Sequence, residues 1–157
     1  MSEENLSHVD ASGKARMVDV SEKKATARVA VARGRVQMQP RTLELISANQ
    51  IAKGNVINTA RVAGIMAAKQ TASLIPMCHQ LNLTHVQLEI RTNFEESCCE
   101  LEATAKTMDK TGVEMEALVA VSTAALTVYD MVKAVDQNMI ISEIKLVSKT
   151  GGKHSLV

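Results

Sequence analysis

Phe94 and Tyr129 are the only aromatic side chains in 157 residues, and there is no Trp. That scarcity dictates how any core must be built. A chain of this length buries roughly 68–70% of its unfolded surface, and its length fits one domain. The 46% apolar content, with nine Met, must therefore do the packing through Ala, Val, Leu, Ile and Met. Small side chains let backbones approach closely, and Met fills the remaining gaps. The same scarcity excludes an aromatic platform for single-stranded nucleic acid. Eighteen Lys+Arg against 17 Asp+Glu leave +1, which excludes a uniform basic face for duplex DNA. No nucleic-acid partner is expected, and charge must act locally.

The three cysteines are Cys78, Cys98 and Cys99. An odd count with one adjacent pair makes no disulfide framework, and no Cys/His spacing matches a zinc site. Met1–Asp10 holds acids and no apolar run, unlike a secretory signal. The longest apolar stretch, Ala117–Val128, is interrupted by Ser122 and Thr123 and is too short to span a bilayer. These features predict a cytoplasmic protein in a reducing compartment, with no membrane partner. Residues 1–16 are polar and aperiodic, which predicts a disordered tail before one domain over 17–157.

Alternation over 29–38 places Ala30, Ala32, Gly34, Val36 and Met38 on one face of a strand, with Arg33, Arg35 and Gln37 on the other. Pro40 opens a short helix over 41–48 with Leu43 and Ile46 inward. Asn55 is a candidate N-cap for a helix over 56–72. In that helix Gly64 costs about 1 kcal/mol against Ala, which close packing would offset. After Pro76 comes a hairpin. Its first strand turns Val86, Leu88 and Ile90 inward; the turn lies at 93–97. The second strand turns Cys99, Leu101, Ala103 and Ala105 inward and Cys98, Glu100 and Glu102 outward. A long helix over 113–135 and a last strand over 139–147 complete the chain. With the early helices merged, the order is the split βαβ pattern. The expected architecture is α+β and ferredoxin-like: an antiparallel four-stranded sheet with helices packed on one face. The other face mixes charges with Val29, Val31, Ile141 and Val147, which suits either an oligomer contact or an ordinary solvated surface.

Three Lys–Gly loops stand out: Lys53-Gly54, Lys110-Thr111-Gly112 and Lys149-Thr150-Gly151-Gly152-Lys153. Glycine frees backbone N–H groups to face an anion and lysine adds charge, so such loops suit phosphate; each could equally be an ordinary turn. None is a Walker loop. Asp130 and Lys133 share a helix face, either as a surface ion pair or, among Val128, Met131 and Val132, as a partly buried acid–base pair. Glu114 and Glu116 lie in the first turn of the same helix, where carboxylates favour the dipole. Glu116 and Asp130 are roughly 21 Å apart along the axis, so one small group cannot touch both within one chain. Either the ligand is long or the site joins two subunits. His79 is a candidate proton shuttle or phosphate donor; Cys78 reads as packing. Ser21-Glu22-Lys23-Lys24 and Lys110-Thr111-Gly112 match the SxxK and KTG motifs of penicillin-binding enzymes, but there is no Ser-Asp-Asn and the chain is too short for that fold.

The motifs Met17-Val18-Asp19-Val20, Lys53-Gly54-Asn55-Val56, Leu74-Ile75-Pro76-Met77-Cys78-His79, Lys110-Thr111-Gly112-Val113-Glu114-Met115-Glu116-Ala117-Leu118, Tyr129-Asp130-Met131-Val132-Lys133-Ala134 and Lys149-Thr150-Gly151-Gly152-Lys153 occur in this order. In them the chain resembles the cyclic pyranopterin monophosphate synthase family, MoaC, of molybdenum cofactor biosynthesis, from about Met17 to Lys153. Gln80 and Asn55 depart from residues common in that family, and the tail after Gly152 is short.

The resemblance implies a lyase that converts 3′,8-cyclo-7,8-dihydro-GTP to cyclic pyranopterin monophosphate and releases pyrophosphate. It implies a homohexamer, a trimer of dimers, with active sites between subunits. By position it implies Asp130, Lys53 and Lys133 as catalytic residues. It implies Met77, Cys78, His79, Met115 and Glu116 as substrate-binding residues, with Glu114 beside them and Arg28, Lys149 and Lys153 as phosphate contacts. No built-in metal or resident cofactor is expected, though Mg²⁺ can accompany the triphosphate. The rival reading is a nucleotide-sensing module without chemistry; a purely structural oligomer is a third. Asp130→Asn separates enzyme from sensor.

Overall fold

The computed structural model describes residues 8–152 together with Ser155 and Leu156. Eight elements follow one another: β1 (Thr26–Gln37), α1 (Pro40–Ser47), α2 (Val56–Ala68), α3 (Thr71–Leu74), β2 (Leu83–Asn93), β3 (Cys98–Asp109), α4 (Glu114–Val132) and β4 (Ile140–Thr150). The strands form one antiparallel sheet in the order β2-β3-β1-β4, and α2 and α4 pack on it. This is the α+β, ferredoxin-like arrangement. Residues 1–7 of the expected tail lie outside the described residues; 8–16 make a tight turn closed by a Val9–Ala15 bridge.

The scarcity of large side chains sets the depth of the core. The central strands pair small residue with small residue, Ala30 with Ala105 and Ala32 with Ala103. They offer a shallow floor to α4, whose Ala117, Ala120, Val121, Ala124, Ala125 and Val128 are fully buried. By composition α4 is apolar enough to cross a membrane, but more than half of its apolar stretch is buried, packed on α2 and the sheet. Gly64 lets α2 cross α4 at backbone distance. A Cβ there would sit 2.8 Å from the Ala120 carbonyl oxygen and 2.9 Å from Leu88 Cδ2. Asn55 caps α2 as expected, its side chain accepting from the Asn58 N–H at 2.8 Å.

Several boundaries differ from expectation. β1 starts at Thr26, three residues early, so Arg28 lies on a strand. The helix expected over 56–72 stops at Ala68, and the Thr71 hydroxyl donates to the Ala68 carbonyl as α3 begins. The helix expected to reach 135 stops at Val132. Beyond it the Asp136 carboxylate accepts from Gln39 N–H at 2.8 Å, Thr42 O–H at 3.0 Å and Asn138 N–H at 3.0 Å. Burial alone would raise the Asp136 pKa; these hydrogen bonds outweigh it and hold the carboxyl below its ordinary range. The chain is thereby drawn to the start of α1.

Ile141 faces differently than its alternation suggests, and Cys98 faces as expected but differs in burial. Ile141 pairs with inward Val36 and packs on the core, because β4 carries register shifts against β1. Cys98 points away from the helices yet is fully buried. The outer sheet face is dominated by Arg33–Glu102 at 2.6 Å and by Arg35, 2.7 Å from Glu96 and 3.1 Å from Glu100. β4 also continues to Thr150, so Lys149 stands on a strand rather than in a loop.

Candidate active site

The long helix carries one cluster at each end. At its C-terminal end Lys53, from the loop before α2, places Nζ 2.8 Å from the Asp130 carbonyl oxygen and 3.1 Å from Asp130 Oδ2. Lys133 Nζ lies 2.8 Å from Asp130 Oδ1. Hydrogen bonds from Lys133 and then Lys53 hold the Asp130 carboxyl below its ordinary pKa, and Asp130 in turn raises that of Lys133. All three side chains are about half exposed in the chain, rather than the partly buried pair the flanking apolar residues suggested. Asp130 and Lys133 are thereby held charged. The carboxylate is a weak base and the ammonium a weak acid, so this arrangement favours fixing two positive charges beside one negative charge. It suits an anion, or a centre where negative charge develops.

The first turn of α4 holds the opposite chemistry. Glu114 is paired with Lys149 at 2.9 Å. Glu116 is only 4% exposed and, among the described residues, has no cation in hydrogen-bond range. Burial pushes its pKa up to about 7, opposed in part by a hydrogen bond from its own backbone N–H, with the smallest contribution, a raising one, from Glu114. A carboxyl tuned near neutrality can both give and take a proton. Cys78 lies close enough to feel both glutamates. Burial, then Glu116 and Glu114, raise its pKa, so the thiol stays protonated and is a poor nucleophile. Burial pushes Cys99 up to about 12 and raises Cys98 as well.

His79 Nε2 is 2.7 Å from the Val18 carbonyl oxygen. A carbonyl only accepts, so Nε2 carries the proton and His79 fastens the N-terminal segment. Met77 and Met115 are half-buried. Arg28 donates Nε to the Asp109 carbonyl at 3.0 Å, Nη1 to Gly151 at 2.9 Å and Nη2 to Lys110 at 3.1 Å. It clamps the loop before α4 to the end of β4. Gly151, at φ +81°, packs so tightly that a Cβ would fall on the Ala27 carbonyl. These loops border a cavity of about 750 Å³ whose lining includes Arg28, Glu114, Lys149, Gly151, Lys23 and Lys24. Lys153 lies outside the described residues.

The structure thus gathers Lys53, Asp130 and Lys133 into one group, and Arg28, Glu114 and Lys149 around one cavity. It does not join the two groups: Glu116 and Asp130 sit on one unbroken helix, 14 residues and roughly 21 Å apart. Sequence reasoning gave no role to residues 17–24, although Met17-Val18-Asp19-Val20 was a visible motif. It also missed the clamping by Arg28, which depends on carbonyls distant in sequence.

Comparison with known proteins identifies this pattern. The model of the MoaC family matches residues 17–152. A protein of Thermomicrobium roseum named cyclic pyranopterin monophosphate synthase is 60% identical over 148 residues, covering 94% of this chain and 89% of its own. Proteins of the same name from Chloroflexus aurantiacus, 58% identical over 94% of this chain and 91% of their own, and from Parvibaculum lavamentivorans, 54% identical over 98% and 96%, agree. Matched by its family model from Met17 to Gly152 and by these relatives over nearly its whole length, the chain belongs to the MoaC family.

Proposed function

We propose that this chain is a cyclic pyranopterin monophosphate synthase of molybdenum cofactor biosynthesis, converting 3′,8-cyclo-7,8-dihydro-GTP to cyclic pyranopterin monophosphate and pyrophosphate. Its relatives' names support the activity. The observation that carries the residue assignment is the pair of unlike clusters at the two ends of α4, one cationic and fixed, one holding a carboxyl poised near neutrality.

The chemistry divides between them. Opening the five-membered ring consumes water and breaks a C–N bond, and the departing nitrogen must be protonated. Closing the freed amine onto a carbonyl carbon returns that water. Glu116 is suited to lend and recover the proton in both steps. A substrate hydroxyl then attacks the α-phosphorus. The new O–P bond forms as the bond from the α-phosphorus to the oxygen shared with the β-phosphate breaks, and the hydroxyl's proton is released and leaves on the departing pyrophosphate. Lys53 and Lys133 stabilise the negative charge of that leaving group, and Asp130 fixes both ammoniums in place. Met77, His79 and Met115 belong to the wall that receives the base. No resident cofactor is assigned; Mg²⁺ would arrive on the triphosphate.

One reacting centre served by both clusters needs a second copy of the chain. We therefore read the enzyme as a homohexamer, a trimer of dimers, with each site shared between two subunits. Its three free cysteines suit a cytoplasmic location.

The test is turnover. Purified protein mixed with 3′,8-cyclo-7,8-dihydro-GTP releases pyrophosphate and gives a fluorescent pterin on oxidation, and Asp130→Asn abolishes both while keeping its fold. Nucleotide that binds and returns unchanged would make the chain a sensor instead.

A further inference from the structure

We infer that residues 17–24 form a fixed wall of the substrate site, and that Lys23 and Lys24 are its phosphate-binding cations. This inference rests on the proposed function for the identity of the substrate, but its binding test does not need turnover.

The first observation is that the segment is tied down from both sides. Val18 is held through its carbonyl by His79 Nε2 at 2.7 Å, and Ser21 through its carbonyl by Lys110 Nζ at 3.0 Å. Between those anchors the Asp19 carboxylate accepts from the Ser21 N–H at 2.9 Å and its hydroxyl at 2.6 Å. Lys23 N–H then closes a turn on the Val20 carbonyl at 3.0 Å. The two outside anchors come from the segment before β2 and the loop before α4, which also carry residues of the site.

The second observation concerns which cations are free to meet an anion. Among the described residues the cavity is lined by four: Lys23, Lys24, Arg28 and Lys149. Arg28 has committed one N–H from each guanidinium nitrogen to backbone carbonyls. Lys149 is bonded to Glu114. Lys23 and Lys24 make no side-chain hydrogen bond or ion pair with another described residue. Against the four cations stand Glu22 and Glu114, so the lining carries a net +2. Its volume of about 750 Å³ lies within the roughly 300–1,000 Å³ typical of small-molecule sites. A polyphosphate entering it meets two lysines with no competing partner among the described residues, on a segment already ordered, so little conformational freedom is lost on binding.

Inorganic pyrophosphate, the product, is the probe, and its affinity is read by calorimetry on the full-length assembled protein. The double variant Lys23→Ala/Lys24→Ala weakens binding by about tenfold or more, as expected for losing charge-assisted contacts. In turnover its kcat/KM falls with the loss carried by KM. Lys23→Arg/Lys24→Arg keeps the charge and stays within a few-fold of wild type. Lys14→Ala/Lys145→Ala removes the same net charge elsewhere and leaves the affinity unchanged. Wild-type affinity in Lys23→Ala/Lys24→Ala, or an equal loss in Lys14→Ala/Lys145→Ala, overturns the inference, as does wild-type protein that binds no pyrophosphate. Lysine-dependent binding without product would sink the proposed function and leave this inference standing; product formation with lysine-independent affinity does the reverse.

Discussion

Two inactive variants should restore each other if each site is shared between subunits. Lys53→Ala removes an ammonium at one end of α4 and Glu116→Gln removes the titratable carboxyl at the other. Each residue lies beyond reach of the other's cluster within one chain, because 14 residues of continuous helix separate Glu116 from Asp130, roughly 21 Å. In a random one-to-one mixture of a two-fold symmetric dimer, half the dimers contain one subunit of each kind. Every such dimer has one site with both changes and one with neither. Half of one half gives about 25% of wild-type activity, against near zero for either variant alone. The variants are co-expressed in equal amounts, the whole population is purified without selecting for mixed dimers, and pyrophosphate release is followed. Activity no greater than the sum of the separate variants, in a mixture shown by mass spectrometry to contain both chains, would refute the shared site. It would then require one long substrate to reach both clusters of a single chain.

The raised pKa of Glu116 makes stability depend on pH. The folded chain keeps this proton up to about pH 7 whereas the unfolded chain loses it near 4.5, so the stability that Glu116 contributes is fully present below 4.5 and is lost as pH rises towards 7. The full span is on the order of 3 kcal/mol. Glu116→Gln should therefore gain on wild type by several degrees in Tm between pH 5 and pH 8, and a pH-independent difference would count against burial as the cause. Gly64→Ala gains about 1 kcal/mol of helix propensity but drives a methyl to 2.8 Å from the Ala120 carbonyl, which costs about 1–3 kcal/mol. Thermal unfolding should show a lower Tm, and a higher one would mean that α2 and α4 separate freely. Arg28→Lys keeps the charge but cannot reach three carbonyls at once. Hydrogen exchange should quicken at 109–112 and 149–152, and unchanged protection there would remove Arg28 from the role of clamp.

The parts of this molecule that follow a period were open to a reader of the sequence. Ala30, Ala32, Val36 and Met38 alternate and are buried; Asn55 precedes a helical run and caps it. Burial on a regular element repeats every two or every three to four residues, so spacing alone displays it. The misses came where a tertiary contact overrode local preference. Nothing near Val135 ends a helix; Asp136 does so by bonding to Gln39 and Thr42, some 95 residues earlier in the chain. Ile141 changes face because β4 shifts register against β1, which one strand's alternation cannot reveal.

The same division separates the site's residues from their ionisation states. Asp130 and Lys133 could be paired from their three-residue spacing. Lys53, the second cation on Asp130, arrives from a loop 77 residues away, and with it the carboxylate becomes the centre of a fixed cationic pair. Glu114 and Glu116 look alike in sequence, both acidic and both in the first turn of α4. Lys149 pairs with Glu114, and burial makes Glu116 a group that titrates near neutrality. The two carboxyls are thus told apart by burial, which falls on Glu116, and by where one lysine of β4 ends up, which is beside Glu114. Lys149→Met makes the lysine's part measurable. It frees Glu114 to repel Glu116 more strongly, so the midpoint attributed to Glu116 should move up, read from the Tm difference between Glu116-intact and Glu116→Gln proteins across pH. A midpoint that stays put would mean that burial alone sets it.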